Sequence, residues 1–142
     1  MKGLVSVIVP VYDRAHLVAE TIESILSQTY QAIEIILIND GSSDGSLAIL
    51  REYESQFPER IRVIDQPNQG QTIARNNGIK MARGQYIAFL DSDDLWVRDK
   101  LERQIPLFEP GVGLVYSGTE IIDESGCTVR VEPADEAMAG YI

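Results

Sequence analysis

The chain has 142 residues, 44% of them hydrophobic and 24% charged, and its 22 acidic against 12 basic side chains give a formal net charge of -10. That length suits one core, and the composition is globular rather than disordered or fibrous. The acidity argues against nucleic acid as a partner and leaves a metal as the natural bridge to any phosphate ligand.

Cys127 is the single cysteine. It can form neither an intramolecular disulfide nor a thiol-rich zinc site, which fits a reducing compartment. The apolar run from Leu4 to Val9 is too short to span a membrane and lacks a signal-peptide cleavage pattern. The expectation is a cytoplasmic protein, with any membrane association supplied by parts of a full-length protein outside these residues.

Leu4 to Val9 is rich in β-branched residues and reads as a strand covered on both faces, ended by Pro10. Ala15 to Gln28 places Leu17, Val18, Ile22, Ile25 and Leu26 on one helical stripe, with Asp13 at the N-cap position. Ile33 to Ile38 is a second buried strand, closed by the dense turn signal from Asn39 to Gly45. Leu47, Leu50, Tyr53 and Phe57 mark a second helix, ended by Pro58. Ile61 to Ile64 is a third strand and Gln66 to Gly70 a loop. A third helix follows from about Thr72 to Ala82, with Gly84 as its C-cap. Tyr86 to Leu90 is the fourth strand. The pattern then predicts a helix from about Val97 to Phe108, a fifth strand from Val112 to Ile122, a turn at Gly126 and a short strand from Thr128 to Val131. This alternation predicts an α/β domain, an open and mostly parallel sheet with helices on both faces. Its ligands would bind beyond the carboxyl ends of the strands, where the turns after strands one, two and four meet.

Asp91-Ser92-Asp93-Asp94 is the turn richest in chemistry. Three carboxylates so close repel one another unless a cation sits among them, and hard oxygen ligands suit Mg²⁺ or Mn²⁺. The bland alternative is a solvated turn capping the next helix. Asp40 could accept a hydrogen bond from a base N–H, and Tyr12 could stack on a base or simply cover the sheet edge. Asn and Gly in Arg75-Asn76-Asn77-Gly78 are poor helix formers, so something other than propensity keeps them there. Arg75 could pair with Asp40 or reach a phosphate. Trp96 could floor a pocket or anchor the core. His16 is the only histidine, and no nucleophile pattern accompanies it.

Five segments together resemble the family 2 glycosyltransferases of the GT-A fold, a Rossmann-like nucleotide-binding architecture. They are Val5 to Tyr12, Ser24 to Tyr30, Ile38 to Asp44, Ala74 to Gly78 and Phe89 to Asp94. Each is moderately specific, and their shared order and spacing is highly specific. The resemblance implies a nucleotide-diphosphate sugar donor, a UDP-sugar first, bound with Mn²⁺ or Mg²⁺. It implies that Pro10, Val11 and Tyr12 line the base pocket, that Asp40 binds the base and that Arg75 braces it. Asp91 and Ser92 would lie by the ribose and diphosphate, with Asp93, and Asp91 beside it, holding the metal and Asp94 as a helper or helix cap. Asn39 stands where relatives commonly carry the first Asp of a pair, and Asp13 where many carry Asn. Most such enzymes invert the anomeric centre with a base and an acceptor site further along the chain. Asp135 and Glu136 come too early to supply that base. The expectation is therefore a single donor-binding domain, 1–142, cut short on its acceptor side, with a glycan, lipid carrier or protein as acceptor and the oligomeric state open. Three other readings compete, of which a purely structural interaction domain leaves the ordered set of turns unexplained. A non-catalytic nucleotide-sugar-binding module would need no downstream base. A phosphoacceptor signalling domain would need acidic turns after strands one and three and a lysine after strand five, which this chain lacks.

Overall fold

The computed structural model describes residues 3–134. The chain separates into two compact units, Met1–Lys100 and Leu101–Ile142. In the first, β1 (Val5–Val11), β2 (Ile33–Asp40), β3 (Ile61–Gln66) and β4 (Tyr86–Phe89) alternate with α1 (Val18–Leu26), α2 (Ser46–Gln56) and α3 (Gln71–Met81).

The strands form one parallel sheet in the order β3-β2-β1-β4. Every residue of β1 and β2 is buried, as expected of central strands covered on both faces. The chain moves outward from β1 to β2 to β3, then returns to place β4 on the other side of β1. Right-handed crossovers therefore put α1 and α2 on one face and α3 on the other. Ile8, Ile36, Ile38 and Ala74 form the buried cluster beneath α3. On α1, Val18, Ile22 and Ile25 of the expected stripe are buried together with Thr21, while Leu17, at the N-cap, and Leu26 are half-buried.

Several local expectations are corrected. Pro10 does not stop β1, which runs on to Val11 with Pro10 in register with Ile38. Ile8 accepts from Leu90 N–H, so even-numbered positions of β1 turn their backbone groups toward β4. Pro10 has no N–H to carry that ladder past Leu90, so the pairing of β1 with β4 stops there while its pairing with β2 runs on to Val11. Asp13 does not cap α1. It has φ 49°, and its carboxylate accepts from the backbone N–H of Ser43 at 2.7 Å. Asp44 returns the contact, accepting from Ala15 N–H at 3.0 Å, so the two loops brace each other. Gly84 is not a cap either, since the C-cap of α3 is Ala82. A Cβ at Gly84 would lie 2.6 Å from Ser6 Oγ, so close approach to β1 is its role.

The expected helix from Val97 to Phe108 shrinks to α4 (Lys100–Gln104) and one 3₁₀ turn, Ile105–Leu107. Pro106 lacks the N–H that would continue an α-helix. In the second unit, the expected long fifth strand is only β5 (Thr119–Ile122), paired antiparallel with β6 (Thr128–Glu132) in a separate hairpin. Its ladder starts at Thr119 opposite Glu132, and Pro133 beyond Glu132 has no N–H to extend it. Asp135 and Glu136 lie outside the described residues. Among the described residues, no helix is long and apolar enough to cross a membrane.

Candidate functional site

The strand order reverses between β1 and β4, and a cleft opens at the carboxyl ends of the strands there. It measures about 500 Å³, within the range of small-molecule sites. Pro10, Val11, Tyr12, Asp40, Asp91, Ser92 and Asp93 all line it, so residues from three distant turns share one wall. Arg14, Asn68, Gly70 and Gln71 complete the lining.

Tyr12 follows β1 directly and is half exposed. Asp40 ends β2 and is only 3% exposed. Its Oδ1 accepts from Gln66 Nε2 at 2.8 Å and from Gln69 N–H at 2.9 Å, and its Oδ2 accepts from Gly70 N–H at 2.9 Å. Gly41 makes this closeness feasible. It has φ 73°, and a Cβ there would sit 2.5 Å from Asn68 N. The neighbouring Asn39 donates through Nδ2 to Asp65 Oδ1 at 2.7 Å. An Asp at 39 would instead set two carboxylates against each other.

Asp91 pairs with Arg75 at 2.6 Å and also accepts from Gln71 Nε2 at 2.9 Å. Arg75 therefore reaches Asp91 rather than Asp40, and its guanidinium lies 5.9 Å from the Phe89 ring centre. Asp93 pairs with Arg14 at 3.2 Å. Arg14 also donates to the carbonyls of Tyr12 and Asp13. Burial, and then the charges of Asp93 and Asp91, hold the Asp94 carboxyl above its ordinary range. The turn thus concentrates negative charge that arginines only partly offset. Trp96 is not part of the cleft wall, and Lys100 Nζ lies 5.6 Å from its ring centre. His16 is exposed, and so is Cys127.

Arg14, Gln71 and Gln66 carry roles that sequence reasoning missed. Gln66 to Gly70 reads as a loop, although Gln66 closes β3, and the density of amides from Gln66 to Gln71 was the available signal. Among the described residues, no group of three or more His, Cys, Asp or Glu could hold a metal unaided. Asp91 and Asp93 still suit Mg²⁺ or Mn²⁺, which take one or two carboxylates and complete their shell with phosphate oxygens and water.

The family model for glycosyl transferase family 2 matches residues 6–131. The chain belongs to that family. TuaG of Bacillus subtilis (strain 168), named for teichuronic acid biosynthesis, is 39% identical over 127 residues, which are 88% of this chain and 50% of TuaG. The mannosyltransferase PcManGT from Pyrobaculum calidifontis, solved with GDP-Man and Mn²⁺, is 30% identical with a TM-score of 0.72. That match covers 77% of this chain and 33% of PcManGT. S. aureus TarS 1–349 is 29% identical with a TM-score of 0.65, over 70% of this chain and 30% of that one. This family 2 chain therefore spans half or less of these relatives, and its sheet and helices are the nucleotide-binding, N-terminal part of a GT-A fold.

Proposed function

We propose that the cleft binds a nucleotide-diphosphate sugar, with a UDP-sugar as the first candidate, through Mn²⁺ or Mg²⁺. The whole protein would then transfer the sugar, with inversion, to a hydroxyl of a glycan, a lipid carrier or a protein. One observation carries this reading: Tyr12, Asp40, Asp91 and Asp93 converge on one cleft at the switch point of the sheet. The metal and nucleotide named for PcManGT support it.

In this reading Tyr12 stacks on the base, with Pro10 and Val11 beside it, and Asp40 accepts a base N–H. Arg75 holds Asp91 in place while Asp91 and Ser92 meet the ribose and diphosphate. Asp93, with Asp91, holds the metal and gives up Arg14 to do so. A metal held by these carboxylates would supply positive charge against a departing diphosphate. Transfer also needs a general base within reach of the acceptor hydroxyl. Asp91 and Asp93 are ion-paired and Asp40 already accepts three bonds, so none is placed in that role. We place the base outside the described residues, and the domain 1–142 as the donor-binding part of a longer enzyme.

Calorimetric titration with UDP, GDP and dTDP, with and without Mn²⁺, tests this. Binding should strengthen with the metal and be lost in Asp93→Ala. Equal binding by the variant would remove Asp93 from the site.

A further inference from the structure

The carboxylate of Asp40 is set by a relay that begins on α3. Asn77 Nδ2 donates to Gln66 Oε1 at 2.8 Å, and Gln66 Nε2 donates to Asp40 Oδ1 at 2.8 Å. Gln66 is 8% exposed and Asp40 3%, so water competes little for either. A primary amide is oriented by whichever of its ends is claimed first. With Oε1 held by Asn77, Gln66 can present only N–H to Asp40. Without that hold the amide can turn over and set its own oxygen against the carboxylate.

A carboxylate has about four acceptor positions. Two on Oδ1 are taken by Gln66 and Gln69, and one on Oδ2 by Gly70. The remaining position belongs to Oδ2, and Asp40 lines the cleft. All three occupants are uncharged N–H groups, so the negative charge is left for a ligand. An acceptor-only group of this kind suits a base that presents a ring N–H, as uracil, thymine and guanine do. Cytosine presents a bare ring nitrogen in the same place, which would meet the carboxylate lone pair to lone pair.

We propose that Asn77 and Gln66 are positioning residues that set nucleobase choice, by holding Asp40 as an acceptor for a ring N–H. The proposal rests on the donor-site reading above and extends it to two residues that do not themselves touch the metal-binding turn.

Binding of UDP, CDP and inorganic pyrophosphate, each with Mn²⁺, separates the two ideas. The unaltered protein should prefer UDP to CDP by about tenfold or more, the worth of one hydrogen bond to a charged group. Asn77→Ala and Gln66→Leu should each cut that preference to about threefold or less. Pyrophosphate affinity should stay unchanged. A merely structural role would weaken all three ligands together and leave the preference intact, and that result would overturn the proposal. Asn77→Asp is the milder variant, because its Oδ atoms keep the side-chain shape but remove the donor. It should also lose the preference, and retention of the preference by this variant would count equally against the relay. Absence of any nucleotide binding by the unaltered protein would overturn the donor site itself. Asp93-dependent UDP binding with no discrimination against CDP would leave the donor site standing and remove only the relay.

Discussion

Two arginines partly offset the charge of the acidic turn, and they are held in different ways. Arg75 lies on α3 near the Phe89 ring, and its partner Asp91 is fixed a second time by Gln71. Arg14 sits on a loop and reaches Asp93 through one N–H at 3.2 Å, with both side chains about two-fifths exposed. An exposed pair of this kind is worth about 1 kcal/mol or less. If Asp93 takes a metal as proposed, Arg14 is the cation more readily exchanged for it. Arg14→Gln should tighten binding of Mn²⁺ alone by about threefold, read by the loss of free Mn²⁺ signal in electron paramagnetic resonance. Unchanged or weaker Mn²⁺ binding would mean that Arg14 does not compete for Asp93. None of this pairing was legible in the sequence. An Arg two residues after Tyr12 announces a charge, whereas the fold decides which carboxylate it meets.

At the scale of elements, α3 is the part whose sequence looked least suited to its structure. Asn76, Asn77 and Gly78 weaken it as an isolated helix. The packed structure explains two of the three. Asn77 starts the relay to Asp40, and Gly78 lets the helix settle onto the sheet. A Cβ at Gly78 would stand 2.6 Å from Ile8 Cγ2 and 3.0 Å from Ile38 Cδ1, both fully buried. The side chain of Ile8 branches at Cβ and cannot swing away cheaply. Gly78→Ala would gain about 1 kcal/mol of helix propensity and lose about 1–3 kcal/mol to overpacking. Net destabilisation of about 1 kcal/mol in urea unfolding is the expected result. The same variant should weaken nucleotide binding, since α3 also carries Gln71 and Arg75. A more stable variant would show that α3 can ride outward without strain. The alternation of strands and helices was readable because each central strand is apolar on both faces. The short ends were not: the 97–108 segment was shortened at Pro106, and the β5–β6 hairpin stops at Pro133.

At the scale of the first compact unit, one buried charge ties several elements together. Glu34 on β2 accepts from Ser6 Oγ on β1 at 2.6 Å, from Arg62 on β3 at 3.0 Å and from the backbone and side chain of Arg83. Burial pushes its carboxyl upward, but the hydrogen bonds from Ser6 and Arg83 and the charge of Arg62 outweigh it. The net result is a pKa below the ordinary 4.5. A carboxyl with a lowered folded-state pKa stabilises the fold above its unfolded value and ceases to do so as pH falls through the folded one. Thermal unfolding should therefore show the melting temperature falling as pH drops below about 4.5. Glu34→Gln should lower stability at pH 7 by about 2 kcal/mol and flatten that acid slope. An unchanged slope would place the acid sensitivity elsewhere.

The sequence alone determined the alternating elements, the family, and the identity of the turns that reach the cleft. It could do so because strand burial, helix periodicity and turn chemistry are written in neighbouring residues. Tertiary structure alone decided the partners: Arg75 with Asp91, Arg14 with Asp93, and Asn77 through Gln66 to Asp40. Those pairs depend on how β4 returns beside β1 and how deeply α3 settles on Ile8 and Ile38. A crossover and a packing distance bring together residues remote in the chain, and no local pattern records which donor will meet which acceptor.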